Sequence, residues 1–353
     1  QTPQGRGDFS LWLAVGVYLV SMLAMILLCL YLLEDDDGWV IVDTGLGTRA
    51  TQEHWERVFA EDLEGKPVNS VVVTHFHPDH VGQAGWLTER WQIPLRMTEL
   101  EYFHARALSY RVESDGVPWQ TRQFYHRCGM GEQALDTISE FFSAYAKLVQ
   151  PLPPSFLTIE DGDTLRIGGH AWRVIVCRGH APAHACLYCE SKGVLISGDQ
   201  VLPRITTNVS VTATQPEANP LTAWLRSLEH LLELPADTFV LPAHNLPFRG
   251  LRERLGNLLQ HHEAQLITIE KACAEKARAA ADLLPILFRP GLEGFELILA
   301  IGESSAHLHH LLHESRIERA LNENGVYCYK TSGAARLEQD HRFDPPSDES
   351  TVA

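Results

Sequence analysis

The segment Thr74-His75-Phe76-His77-Pro78-Asp79-His80 places three imidazoles and one carboxylate within six residues. Val71-Val72-Val73 just before it has the pattern of a short buried strand, and Pro78 stops that strand from continuing because it has no amide hydrogen to give. The ligand-type residues are therefore expected on a loop at the C-terminal end of a strand, where side chains can converge on one point. Imidazole and carboxylate together suit Zn2+, and also Fe or Mn. A single open catalytic metal takes three protein ligands and a water. Four candidate ligands this close together imply a two-metal site.

A second metal needs further ligands, and the chain supplies them at punctuated positions. Gly179-His180-Ala181-Pro182-Ala183-His184 follows the apolar run Val174-Ile175-Val176-Cys177. Ser197-Gly198-Asp199 follows Val194-Leu195-Ile196, and Pro242-Ala243-His244-Asn245 follows Phe239-Val240-Leu241. Each reads as a strand and then a tight turn carrying one ligand-type residue. A lone histidine at a strand end is more often a satisfied polar residue than a ligand. The joint occurrence with His75–His80 makes His180 and His244 ligand candidates.

The run His-x-His-x-Asp-His, followed by His, Asp and His at later strand ends, resembles the metallo-β-lactamase superfamily, in the flavour of its glyoxalase II-like hydrolases. Val42-Asp43-Thr44-Gly45, after the strand Trp39-Val40-Ile41, is similar to that family's early Asp-Thr-Gly turn. The resemblance runs from about Tyr31 to Gly250, with its motifs in the family's order. It implies that His75, His77 and His180 hold one metal, that Asp79, His80 and His244 hold the other, and that Asp199 bridges them. It further implies two Zn2+, with Fe or Mn as alternatives, sharing a hydroxide that attacks an electrophilic carbonyl or phosphorus. Asp79 and Asp199 are the catalytic carboxylates on this reading, offsetting cationic charge and relaying a proton. Asp43 is expected to orient a ligand histidine without touching the metal, and His184 to act likewise from outside the coordination shell. The family's usual turn is Gly-His-Ser/Thr-Pro-Gly-His; here Ala181 and Ala183 replace the hydroxyl and the second glycine, with His180 kept. The implied fold class is α/β (α+β): an αββα sandwich of two mixed sheets packed face to face, helices outside, metals at one rim.

A chain of 353 residues has room for a large core and a smaller second domain. The expected division is a catalytic domain over 1–250, a winged-helix-like domain over 251–331 and a disordered tail over 332–353. Seven cysteines are an odd number without a regular framework, so no disulfide scaffold is expected. Cys186 and Cys189 are placed in a strand Ala185–Cys189 rather than in a redox or structural zinc motif. This usage suits a reducing compartment, the cytoplasm. The formal net charge of −16 opposes steering towards nucleic acid and anionic membranes, and no segment carries a Lys/Arg cluster.

Leu11 to Leu33 is a run of 23 residues without charge, long enough to span a membrane. Arg6 before it and Glu34-Asp35-Asp36-Asp37 after it would then place the enzyme domain outside the cytoplasm. The family resemblance instead uses Leu30–Leu33 as the first core strand, paired through Asp36-Asp37-Gly38 to Trp39–Val42. Buried core is the expectation, with membrane anchoring through 11–33 as the alternative and a retained signal-type segment third.

Residues 98–150 read as a helical, lid-like insertion, rich in aromatics (Tyr102, Phe103, Tyr110, Trp119, Phe124, Tyr125, Phe141, Phe142) with Arg106, Arg111, Arg122 and Arg127 between them. Either it packs on its own core or it covers the metal face. Pro203 to Pro220 forms a second rim segment. Beyond Gly250, helices are expected over Leu251–Ala277, Ala279–Phe288 and Phe295–His313. A hairpin, Ile317–Leu321 with Val326–Tyr329, should turn at Asn322-Glu323-Asn324-Gly325. Three helices and a hairpin resemble the small winged-helix domain of one branch of the superfamily. Residues 251–330 hold nine Lys/Arg against eleven Asp/Glu, whereas duplex binders need a cationic face, so a packing, pocket-closing or dimerising module is expected. His307, His309, His310 and His313 read as a polar helix face rather than a further metal site.

The function this implies is a binuclear metal-dependent hydrolase of a thioester or related small ester, with a small-molecule acyl substrate and a homodimer as a candidate assembly. The alternatives are a metal-dependent endoribonuclease or phosphodiesterase, and a lactone or β-lactam hydrolase. The acidic charge and aromatic insertion favour the acyl substrate over RNA. A flavodiiron-type oxidoreductase would need a flavin-binding partner domain, and nothing in the sequence resembles one.

Overall fold

Leu28–Glu34 (β2) settles the character of the apolar N-terminal run over the residues that it spans. In the computed structural model, which describes residues 14–17, 28–109, 117–131, 138 and 145–332, it is a strand buried on both faces. Side chains alternate across a strand, so Leu28, Leu30 and Leu32 enter the core under the helices while Cys29, Tyr31 and Leu33 enter the core between the sheets. A strand covered on both sides has no polar face to show, and its sequence is continuously apolar for that reason. No helix among the described residues is long and apolar enough to cross a membrane. Residues 18–27, Tyr110, Arg111, Phe141, Phe142 and the expected tail beyond residue 332 lie outside the described residues.

The first sheet has the order β1 (Ala14–Val17), β2, β3 (Trp39–Val42), β4 (Val68–Val72), β5 (Leu95–Met97), β6 (Leu157–Thr158). β1, β2 and β3 pair antiparallel; β3 to β6 run parallel. The second sheet has the order β11 (Phe239–Pro242), β10 (Val194–Gly198), β9 (His184–Cys189), β8 (His170–Cys177), β7 (Thr164–Ile167). β10 and β11 are parallel and the other pairs antiparallel. The sheets pack face to face through Tyr31, Val40 and Val42 from one and Trp172, Leu187 and Ile196 from the other. The expected αββα sandwich is therefore observed.

Strand direction decides where the chemistry sits. The C-terminal ends of β3 and β4 share one rim because the strands are parallel. The same holds for β10 and β11, and antiparallel pairing puts the start of β9 and the end of β8 beside them, with Cys177 opposite His184. Backbone hydrogen bonds close this rim. Ala185 N–H donates to Thr74 O (2.9 Å), Cys29 N–H to Ala243 O (2.6 Å) and Ala243 N–H to Gly198 O (3.0 Å).

The helix Arg49–Glu61 covers the first sheet and starts at Thr48, whose side chain accepts from Thr51 N–H. It buries Trp55 completely, and the Trp55 Nε1–H donates to Thr44 O at 2.9 Å. This ties a core side chain to the turn that follows β3. The helix Pro220–Leu231 buries Trp224, Leu228 and Leu231, and its Ser227 Oγ accepts from Arg178 N–H at 2.8 Å.

The chain divides into two compact units: 1–117, 136–209 and 222–259 form the first; 118–135, 210–221 and 260–353 form the second. The division passes through the helix Leu251–Glu275. Within residues 98–150, the helix Glu99–Ser109 sends Tyr102 and Ala105 into the first core, while the helix Trp119–Arg127 belongs to the second unit. The expected helix over Ala279–Phe288 is shorter: a 3-10 turn over Ala281–Leu283 and a single helical turn, Leu284–Leu287, with Pro285 near its start. The long helix Gly294–His313 is buried along most of its length. His307 Nδ1 bonds to Glu303 O and His309 Nδ1 to Ala218 O, each at 2.8 Å, so these histidines are satisfied inside the unit. The hairpin pairs β12 (Ile317–Leu321) with β13 (Tyr327–Thr331). Asn322 Oδ1 accepts from Asn324 and Val326 N–H (2.9 and 3.0 Å), and Gly325 takes φ +74°, which explains the Asn and Gly of that turn.

Replacing Trp55 by Ala removes a fully buried indole and the donor to Thr44, and should lower unfolding free energy by about 3–5 kcal/mol. Urea denaturation followed by circular dichroism measures this; a loss within error of zero would show that the helix layer can close the cavity.

Candidate metal centre

All seven ligand-type residues converge at the closed rim, in two groups. The ligand atoms of His75, His77, His180 and Asp199 lie within 4.8 Å of one another, as do those of Asp79, His80 and His244. Among the described residues these are the groupings of metal-ligand atoms. Asp199 stands between them: its Oδ1 faces His80 Nε2 (3.5 Å) and His244 Nε2 (3.4 Å), and its Oδ2 faces His180 Nε2 (3.6 Å). Asp79 Oδ2 lies 3.4 Å from His244 Nε2 and 3.7 Å from His80 Nε2.

His80, His180 and His75 are each aimed by a bond made on the other side of the ring. His80 Nδ1–H donates to Asp43 Oδ2 at 2.8 Å, which turns Nε2 towards the two carboxylates. Asp43 also accepts from Thr74 N–H (2.7 Å) and Thr74 Oγ1–H (2.9 Å). Its backbone is left-handed, φ 62°, a conformation that aspartate tolerates and that these hydrogen bonds hold. His180 Nδ1–H donates to Asn208 O at 2.8 Å, so its Nε2 faces His75 Nε2 at 3.2 Å. His75 Nδ1 meets Thr74 Oγ1 at 3.0 Å, and its Nε2 meets His77 Nδ1 at 2.8 Å.

His184 stands outside both groups. Its Nε2 accepts from Asp199 N–H at 3.2 Å, which holds the backbone of the residue between the two groups. Gly198 has φ +49°, and a Cβ there would lie 2.4 Å from His184 Nε2, so the turn needs glycine on both counts. Ala181 and Ala183 are buried, and the turn closes with Gly179 N–H donating to Ala181 O at 3.2 Å.

The donor set fits divalent metals. His80 Nε2 and Asp199 Oδ1 are buried without a hydrogen-bond partner and both point into the cluster, and an unpaired buried polar atom is otherwise costly. The protonation tendencies differ between the groups. Burial, then the neighbouring imidazoles, hold His75 well below the usual histidine range. Burial and His180 push His77 down to about 3, and burial also lowers His180. For His80 burial acts downward, but Asp43, Asp79 and Asp199 outweigh it and hold the ring well above its ordinary value. His244 rises to about 10, the pull of Asp199 and Asp79 exceeding the effect of burial. Burial alone would raise Asp79 and Asp199; His80 and His244 instead keep both carboxyls below the usual range.

Thr74, Asn208, Glu101 and Tyr145 also shape the centre and carry no motif of their own. Glu101 is fully buried and accepts from Phe76 and Ala183 N–H, and Tyr145 Oη–H donates to Phe76 O. An acidic residue amid the buried Tyr102 and Ala105 of one helix is the signal that the sequence offered for Glu101.

Residues 30–244 match the metallo-beta-lactamase superfamily, and residues 266–332 match the metallo-beta-lactamase-like C-terminal domain. The chain is similar to a beta-lactamase domain protein of known structure from Burkholderia ambifaria: 40% identity, 91% of this chain and 92% of that one covered, TM-score 0.82. It is 25% identical to the probable metallo-hydrolase YqjP of Bacillus subtilis, over 84% of this chain and 91% of that protein. It is also 25% identical to the human acyl-coenzyme A thioesterase MBLAC2, over 78% of this chain and 92% of that protein.

His77 and His244 push the pH dependence of the metal-free protein in opposite directions. Between about 3 and 6.5 the unfolded state holds a proton that folded His77 refuses, so stability falls as pH drops through that window. Between 6.5 and about 10 folded His244 holds a proton that the unfolded state has lost, so stability falls as pH rises through it. Thermal unfolding of chelator-treated protein should therefore peak near pH 6.5; a melting temperature that climbs steadily to pH 9 would contradict the charge pattern.

Proposed function

Since the chain belongs to the metallo-β-lactamase superfamily, we propose that it is a binuclear zinc-dependent hydrolase of thioesters or related small esters, of the glyoxalase II-like kind. The observation that carries the two-metal reading is Asp199, with one carboxylate oxygen facing each ligand group. His75, His77 and His180 would hold one metal, Asp79, His80 and His244 the other. Imidazole and carboxylate suit Zn2+, with Fe or Mn as alternatives. Such metals supply a water that ionises near neutral pH and a Lewis acid for the substrate carbonyl.

The chain's own residues then have distinct tasks. Asp199 holds the two groups at a fixed separation. Asp79, partly exposed and beside His244, is placed to take a proton and pass it to the leaving group. Asp43 keeps His80 in the tautomer whose Nε2 is free, and His184 holds the Asp199 backbone. The thioester reading draws on the likeness to the thioesterase over most of that protein's length and on the net charge of −16, which disfavours polyanionic substrates. Seven free cysteines, six of them buried, support a cytoplasmic setting. The second unit is read as a winged-helix-like packing or pairing module, whose slight acidic excess disfavours nucleic acid.

Metal content measured by plasma mass spectrometry, beside a panel of an acyl thioester, a lactone, a β-lactam and a fluorogenic RNA, tests the proposal. Two zinc per chain with thioester turnover is expected; RNA cleavage alone would move the activity to phosphodiesters. Asp199→Ala should cut turnover by orders of magnitude while circular dichroism stays unchanged, and full activity in that variant would refute the shared-carboxylate site.

A further inference from the structure

Glu101 belongs to neither ligand group, yet its carboxylate joins the two loops that carry the three histidines. Oε2 accepts from Phe76 N–H at 2.9 Å, and Oε1 accepts from Ala183 N–H at 2.5 Å. Phe76 lies between His75 and His77, and Ala183 lies in the turn that begins with His180. The same two residues are held at their carbonyls as well. Tyr145 Oη–H donates to Phe76 O at 2.6 Å, and Thr98 Oγ1–H donates to Ala183 O at 2.8 Å. Thr98 O in turn accepts from Tyr102 N–H at 3.0 Å, so Thr98 and Glu101 lie in one rigid first turn of the helix Glu99–Ser109. A fully buried carboxyl is unfavourable unless its oxygens are hydrogen-bonded, and here both are satisfied by backbone from two separate loops.

We propose that Glu101 is a positioning residue: its carboxylate clamps the His75–His77 loop to the His180–Ala183 loop and so presets the three-histidine site for its metal. This rests on the two-metal reading above. Glu101 makes no contact with the other group, where Asp43 holds His80 and also reaches His75 through Thr74 Oγ1. Only a carboxylate accepts at both oxygens. In Glu101→Gln the amide nitrogen would face one of the two N–H groups, donor against donor, at almost unchanged volume.

The test is calorimetric titration of metal-free protein with Zn2+, resolved into two steps. His77→Ala and His244→Ala, each lacking a ligand of one group, assign the steps. Glu101→Gln should weaken the step lost in His77→Ala by about 10- to 100-fold, the range for removing a supporting partner of a ligand. The step lost in His244→Ala should keep its wild-type affinity. Equal loss at both steps, or none at either, overturns the proposal. Residue-resolved hydrogen exchange on metal-free wild-type protein gives a second readout that needs neither metal nor the variant. Slow exchange at the Phe76 and Ala183 amides is expected, and exchange as fast as an open loop would sink the clamp. A wild-type protein that takes up no zinc but shows those protected amides would instead locate the failure in the metal reading.

Discussion

The centre is assembled from two different sheets, and everything it can do depends on the distance between them at one rim. His180, Asp199 and His244 hang from the second sheet, while His75, His77, Asp79 and His80 hang from the loop after β4 of the first. Side chains of this size reach only a few ångströms, so a small error in sheet spacing becomes an error in the site. Two constraints fix that spacing. Packed interiors have crystal-like density and resist compression, and the sheets here meet through Tyr31, Val42, Trp172 and Leu187. Backbone bonds from Ala185 to Thr74 and from Cys29 to Ala243 then lock the edge itself. The fold holds the ligand loops in place much as a frame holds a hinge.

Charge is distributed unevenly across this rim. One group is three imidazoles that repel one another's protons, and the other is two imidazoles surrounded by Asp43, Asp79 and Asp199. Crowding so many ionisable groups into a buried space is unfavourable for the empty protein. Divalent cations would relieve it by accepting the lone pairs and balancing the carboxylates. A ligand that binds only the folded state stabilises it by mass action, so the strain of assembling the centre and its affinity for metal are linked. The left-handed Asp43 is part of the same arrangement, since three hydrogen bonds hold a backbone conformation that few residues adopt.

The second unit follows a different logic. Its long helix Gly294–His313 buries polar residues along with apolar ones, and His307 and His309 find backbone partners within the unit. Arg316 reaches Glu270 at 2.5 Å and Glu314 at 3.1 Å, and Glu270 draws the guanidinium pKa further up. The unit gathers segments from three stretches of the chain, 118–135, 210–221 and 260–353.

Much of the architecture is written in local pattern. Apolar triplets followed by a glycine or proline turn mark strand ends, and ligand-type residues recur at those ends from Asp43 to His244. The Asn322–Gly325 turn announces its hairpin because only a few residues suit those backbone angles. Local pattern fails where burial, not periodicity, sets the composition. Leu28–Leu33 is apolar throughout because it is covered on both faces, and by sequence alone such a strand has the look of part of a membrane span. Glu101 and Tyr145 illustrate a second limit: what they do is defined by partners 25 to 82 residues away, and no spacing rule reports that. The sequence by itself determined which side chains are available for the chemistry and that each stands at the end of a strand. Only the tertiary structure decided that they meet, in which groups and with which tautomers, because strand order, sheet spacing and long-range hydrogen bonds are properties of the packed chain and not of any segment within it.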